Sequence, residues 1–124
     1  MPDRVDVAKE LAEIFKVIAH PDRIRLIEEL RSGDKDVNTL AETLDLAGPR
    51  VSQHLNQLRL HRVVGERREG RHHIYSLVQP DIALWIVDAL TFVEGRGTTI
   101  PRAKINSARR LWTSRNKVPS GAAN

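Results

Sequence analysis

Apolar residues recur at helical spacing over residues 5–19, where Val7, Leu11, Ile14, Phe15 and Ile18 predict a first amphipathic helix. His20-Pro21 ends it, because the residue before a proline is driven out of the α region. Pro21 then suits the first turn of a second helix, with Asp22 near its positive end and Ile24, Ile27 and Leu30 as its buried face. Ser32-Gly33-Asp34 closes that helix, and VNTLAETLDL predicts a short third one with Leu40, Ala41 and Leu44 inward. Ala47-Gly48-Pro49 makes a tight connection into a fourth helix, GPRVSQHLNQLRL. Past Leu60 the pattern changes: Val63, Val64, Ile74, Tyr75, Leu77 and Val78 are strand formers on either side of RREGR, which predicts a hairpin turning at Glu69-Gly70. Pro80-Asp81 opens a last strong helix over 81–94, ended by Gly95 and Gly97.

The fourth helix carries a thin apolar stripe. Counting ~100° per residue from Val51, Leu55 and Leu58 fall within ~40° of it, whereas Arg50, Ser52, Gln53, Asn56 and Gln57 lie on the far side. A solvated helix face normally uses Lys and Glu; Asn and Ser are mediocre helix formers. Short amides and hydroxyls do suit base edges, since Asn or Gln pairs bidentately with adenine and Arg with guanine. On this helix alone a polar surface and a base-reading surface are equally compatible. The neighbouring elements break the tie, because two short helices, a tight turn and a following hairpin compose a winged helix-turn-helix. Arg67, Arg68 and Arg71 flank the hairpin tip, within reach of phosphates or a minor groove. The predicted fold is thus mainly α (α+β), with about five helices and a β-hairpin wing: a DNA-binding and dimerisation domain over 1–95 and a basic tail over 96–124.

Charge sharpens this picture. The chain of 124 residues has 20 basic and 16 acidic residues and a formal charge of +4. Residues 50–71 hold 6 arginines against 2 glutamates, and residues 96–124 hold 7 basic residues and no acid. Such blocks suit a polyanion partner. The absence of cysteine removes disulfides, thiolate nucleophiles and thiol-based sensing. No signal-peptide pattern opens the sequence, and the apolar window IALWIVDALTFV falls short of the ~20 residues a membrane span needs, so a cytoplasmic location is expected. No paired carboxylates, Gly-rich phosphate loop or nucleophile–base arrangement points to an enzyme.

Between Ile82 and Val93 only Asp88 and Thr91 are polar, so this helix asks for cover on two sides. One side can rest on the domain core. The other, with Trp85, Leu90 and Phe92, predicts a homodimer seam that Leu11, Phe15 and Ile18 of the first helix can join.

AHPDRIRLIEEL followed by LAETLDLAGPRVSQHLNQLRLHRVVGERREGRHHIYSL resembles the ArsR/SmtB winged-helix repressors over about residues 8 to 94. The resemblance rests on His20-Pro21 with Arg23, Leu40-Ala41, Val51-Ser52 with His54-Leu55 and Leu58, and Arg67-Arg68-Glu69-Gly70-Arg71 leading to Tyr75-Ser76-Leu77. It implies a homodimer on double-stranded operator DNA that leaves when an effector binds. It also implies that Ser52, Gln53, His54 and their neighbours face the major groove and that Arg71 belongs to the wing.

The metal sites of such relatives do not carry over. Asp36-Val37-Asn38 stands where some use cysteines, and Gln79, Asp81, Phe92 and Gly95 stand where others use a D-x-H…H-x-x-E set. No cofactor is therefore expected and the effector is left open. His72 and His73 point to opposite faces of a strand, and His54 and His61 lie about two helical turns apart. A site bridging subunits, from His72 or His73 with Asp81 or N-terminal acids, would suit nickel or zinc and make the chain a metal-responsive repressor. A protein-interaction module is the other alternative, since fold alone does not fix function. In the tail, residues 99–116 can be drawn as a sixth helix capped by Thr99, with Ile105, Ala108 and Trp112 on one stripe. That helix could pack on the body through Trp112, touch flanking phosphates, or stay unfolded.

Overall fold

The computed structural model describes residues 2–114. Helix α1 (Pro2–Ile18) leads into α2 (Pro21–Arg31), β1 (Lys35–Asp36), α3 (Val37–Leu44), α4 (Gly48–Leu60), β2 (Val64–Glu69), β3 (His72–Leu77), α5 (Ile82–Gly95) and α6 (Arg102–Thr113). This is the expected winged helix-turn-helix with a sixth helix added.

Local chemistry sets the boundaries. The His20 ring caps α2 by accepting from the Asp22 N–H through Nδ1, at 3.0 Å. Asp36 caps α3, its Oδ1 accepting from the Thr39 N–H at 2.8 Å. That bond, with help from His72, holds the Asp36 carboxyl below the usual carboxylate range. Asp45 ends α3 in the left-handed region, φ 56°, so the chain can reverse before α4. Helix α4 starts at Gly48-Pro49 after Ala47, which offers no side-chain cap.

The core is built where α2, α3 and α4 meet the base of the wing: Leu26, Ile27, Leu40, Val51, Leu55, Leu58 and Val64 are fully buried. Leu26 joins the inward face of α2 beside the expected Ile27 and Leu30, and Ile24 is only half-buried. Val17 is the buried residue of α1, while Val7, Leu11 and Phe15 stand exposed.

The sheet has three strands in the order β1-β3-β2, all antiparallel. Two residues, Lys35 and Asp36, pair with Tyr75 and Ile74 and make β3 the central strand, an addition too short to leave a sequence signal. Glu69 pairs with His72, so the hairpin turns on Gly70-Arg71, one residue later than expected. Gly70 has φ 62°, the positive value a two-residue loop of this kind takes at its first position.

Helix α6 packs on α5 with Ile105 as its buried anchor, and Trp112 is half-buried. Arg31 of α2 donates to the Leu111 and Ser114 carbonyls, capping the far end of α6. Arg109 pairs with Glu94 of α5 at 2.6 Å. Thr99 does not cap the helix: Pro101 occupies that position without a side-chain bond. Residues 115–124 of the tail lie outside the described residues.

Candidate nucleic-acid interface

Helix α4 buries Val51, Leu55 and Leu58 and thereby turns Arg50, Ser52, Gln53, Asn56 and Gln57 to the surface. Ala47, Pro49, Arg50, Ser52, Gln53 and Asn56 border one broad concavity beside the start of the helix. Arg59, which the sequence pattern did not single out, extends this face by donating to Asn56 Oδ1 at 3.0 Å. Its angular position on the wheel, ~80° from Val51 and next to Ser52, is the signal that could have found it.

His54 departs from the expectation that it faces the groove. Its ring is buried and turned toward α2, with the His20 ring 4.5 Å away between centroids. Arg23 Nε donates to His54 Nδ1 at 3.1 Å and Arg23 Nη1 to the Val17 carbonyl at 2.8 Å. One arginine therefore ties α1, α2 and α4 together. Burial first, then the neighbouring His20 and Arg23, lower the His54 pKa, so the ring is neutral at neutral pH. With Nδ1 accepting, the single proton of the neutral ring sits on Nε2, 3.5 Å from Asp22 Oδ2. The same Asp22 oxygen pairs with Arg50 at 2.8 Å.

His20, Asp22 and His54 bring three ligand-type atoms within 4.8 Å of one another, a grouping the sequence did not suggest. A divalent ion would need bare nitrogen lone pairs. Both Nδ1 atoms already accept hydrogen bonds, which puts the protons on Nε2, and Arg23 and Arg50 crowd the cluster with positive charge. The chemistry is that of a hydrogen-bonded anchor under α4.

The wing arginines divide. Arg67 is engaged twice at 2.7 Å, with Asp34 and with Glu69, and these bonds raise its pKa. It braces the sheet against the loop after α2, with its side chain still half exposed. Arg68 and Arg71 are exposed and form no ion pair among the described residues. Arg71 shares a cleft with Ser52 of α4 and with Asp36, Asn38, Glu66, His72 and His73. His72 Nδ1 lies 2.9 Å from Asp36 Oδ2, whereas His73 pairs with Glu66, so the adjacent histidines serve different carboxylates. Trp85 and Phe15 stack edge to face, ring centroids 6.1 Å apart, on the outer side of α1 and α5.

The model of the family described as bacterial regulatory protein, arsR family, matches residues 20–64. The HTH-type transcriptional regulator KmtR of Mycobacterium tuberculosis is 35% identical over 92 residues, 74% of this chain and 71% of that protein. The transcriptional repressor SdpR of Bacillus subtilis is 32% identical over 78 residues, 60% of this chain and 87% of SdpR. The crystal structure of Rv0081 from M. tuberculosis superposes with a TM-score of 0.63 at 36% identity, covering 83% of this chain and 95% of that one.

Proposed function

The chain belongs to the arsR family of bacterial regulatory proteins, and from that premise we propose that it is a homodimeric repressor that reads an inverted-repeat operator with α4 and grips it with the wing. As a family member it is a DNA-binding transcriptional regulator and not an enzyme.

The observation that carries the finer reading is the juxtaposition of two surfaces. Ser52, Gln53, Asn56 and Gln57 stand exposed together on α4, and Arg71 of the wing opens onto the same cleft as Ser52. Amides and hydroxyls give base discrimination, and the arginine gives phosphate or minor-groove contact.

Dimerisation is supported by apolar surface that one chain leaves open. Phe92 is 71% exposed, Phe15 52%, Trp85 43% and Leu11 42%, all on α1 and α5. Ile18 and Leu90 are half-buried and border them. Large aromatic groups at such exposure mark an interaction surface. A twofold axis through it would set two α4 helices roughly 34 Å apart, one turn of the duplex.

The residues at the metal positions some relatives use speak against a metal as the release signal there. Asp36 is committed to the α3 cap and to His72, and Phe92 cannot ligate. No helix among the described residues is long and apolar enough to cross a membrane, and a cytoplasmic location beside the DNA fits this role.

The test is selection of bound sequences from a random duplex pool, with light scattering on the same preparation. The expected result is an enriched inverted repeat with half-sites one turn apart, bound by a dimer. Enrichment of no sequence, or a monomer at the binding concentration, overturns the reading.

A further inference from the structure

His20 and His54 face each other across the junction of α2 and α4, with ring planes tilted by 54°. Each ring uses Nδ1 as an acceptor: His20 from the Asp22 N–H at 3.0 Å, His54 from Arg23 Nε at 3.1 Å. The first bond caps α2. The second is the link by which Arg23, itself fixed on the Val17 carbonyl, holds α4 to α1 and α2. An imidazole accepts at Nδ1 only while it is neutral. A proton placed there sets a donor against a donor, so protonating either ring removes a bond that holds the junction.

The surroundings make that proton costly. The charged groups facing His54 are Asp22 and Arg23 from α2 and Arg50 from α4, while α1 meets the cluster through the Val17 carbonyl. Asp22 draws a proton toward His54, yet its carboxylate is shared with Arg50 at 2.8 Å and Arg25 at 4.0 Å. A charged His20 would also stand at the positive end of α2. Burial, ahead of His20 and Arg23, holds the His54 pKa below its ordinary value of 6.5. The stability contributed by the neutral ring is therefore complete above 6.5 and is lost as pH falls through the lowered value. Both rings border the concavity that Arg50, Ser52, Gln53 and Asn56 line, so solvent protons have a way in.

We propose that His20 and His54 form a proton-operated latch between α2 and α4, closed while both rings are neutral and opened by acid, which unseats α4.

The latch stands on the geometry of the junction; its effect on DNA rests on the repressor reading above. Opening lowers the fraction of chains with α4 seated, and operator affinity falls with that fraction while the preferred bases stay the same. Charge alone acts in the opposite direction, since added cations beside the DNA face tighten binding. A loss of affinity in acid is thus the signature of opening.

The experiment compares the full chain with His20→Asn/His54→Asn between about pH 7.5 and pH 5. An asparagine carbonyl oxygen accepts where Nδ1 did and takes up no proton. Ring nitrogens and the Asp22 amide are followed by NMR, and affinity for the duplex enriched by selection is read by anisotropy at fixed ionic strength. In the unaltered chain, ring protonation should coincide with loss of hydrogen-exchange protection at the Asp22 amide, and affinity should fall about fivefold or more. The double variant should keep that protection and hold its affinity within about twofold. His61, His72 and His73 are common to both chains and cancel in the comparison. If the double variant does not fold, His20→Asn alone carries the test: at this half-buried cap position it should keep the Asp22 amide protected in acid. Protection that survives ring protonation in the unaltered chain, or an equal acid response in chain and variant, overturns the latch. Coupled ring protonation and loss of the cap in a chain that enriches no duplex sinks the repressor reading alone.

Discussion

Arg50, in the first turn of the reading helix, lies 2.8 Å from Asp22, in the first turn of α2. An arginine that the proposed reading sets against DNA is thereby held by a carboxylate that is itself 9% exposed and that also faces the Nε2 proton of His54. Asp22→Asn removes the charge and keeps the shape. It should lower stability by about 1–3 kcal/mol, because Arg50 and Arg25 lose the buried charge they pair with. Freed Arg50 should tighten non-specific DNA binding and steepen the salt slope by up to ~1. Denaturant unfolding and anisotropy at several salt concentrations check both. An unchanged slope would show that Arg50 does not reach phosphate.

Three substitutions separate reading, gripping and propping. Gln53→Ala should relax base preference. Arg71→Ala should weaken binding to every sequence and lower the salt slope by about 1. His54→Ala should leave base preference alone and cost about 1–3 kcal/mol of stability, since it orphans the Arg23 Nε donor in a buried setting. Sequence selection with each variant, beside thermal unfolding, distinguishes the roles. A shifted sequence preference for His54→Ala would return that residue to the groove.

Phe92 projects from α5 and is 71% exposed, so replacing it should not disturb the fold of one subunit. Phe92→Glu should shift the chain toward monomer in sedimentation and reduce operator affinity at least tenfold, while the far-ultraviolet circular dichroism stays unchanged. A variant that remains dimeric would place the seam elsewhere.

Glu28 makes stability depend on pH in the direction opposite to a paired carboxylate. Its pKa rises on folding from 4.5 to about 7, so the folded chain binds more protons than the unfolded one between those values. Stability from this group is complete below the lower value, falls as pH rises and levels off above the upper one. Relative to wild type, Glu28→Gln should gain on the order of 3 kcal/mol between pH 4.5 and 7, a comparison made by urea unfolding across that range. A constant difference would mean that Glu28 keeps an ordinary pKa.

Helix order, the hairpin and the outward set on α4 were legible because each rests on local periodicity: Val51, Leu55 and Leu58 fix the helix rotation, and Ser52, Gln53, Asn56 and Gln57 follow from it. The inward turn of His54 was legible too, since it falls ~60° from Val51 at the margin of the buried stripe. The family pattern outweighed that geometry. Other features depended on residues far apart in the chain. Nothing local announces that Arg67 meets Asp34, that Asp22 meets Arg50, or that Arg31 caps a helix some 80 positions later. The two-residue strand β1 escaped for a different reason, having no period to detect.

That small strand has a mechanical effect. By pairing with β3 on the side away from β2, it welds the wing to the residue that caps α3, so flap and reading helix travel as one casting. In the proposed dimer, two such castings joined through the aromatic seam would alter their fit to a duplex by swivelling against each other. The tuning peg of such an instrument would be the hinge line between subunits, where a few degrees of turn would slide both probes out of step with the groove at once.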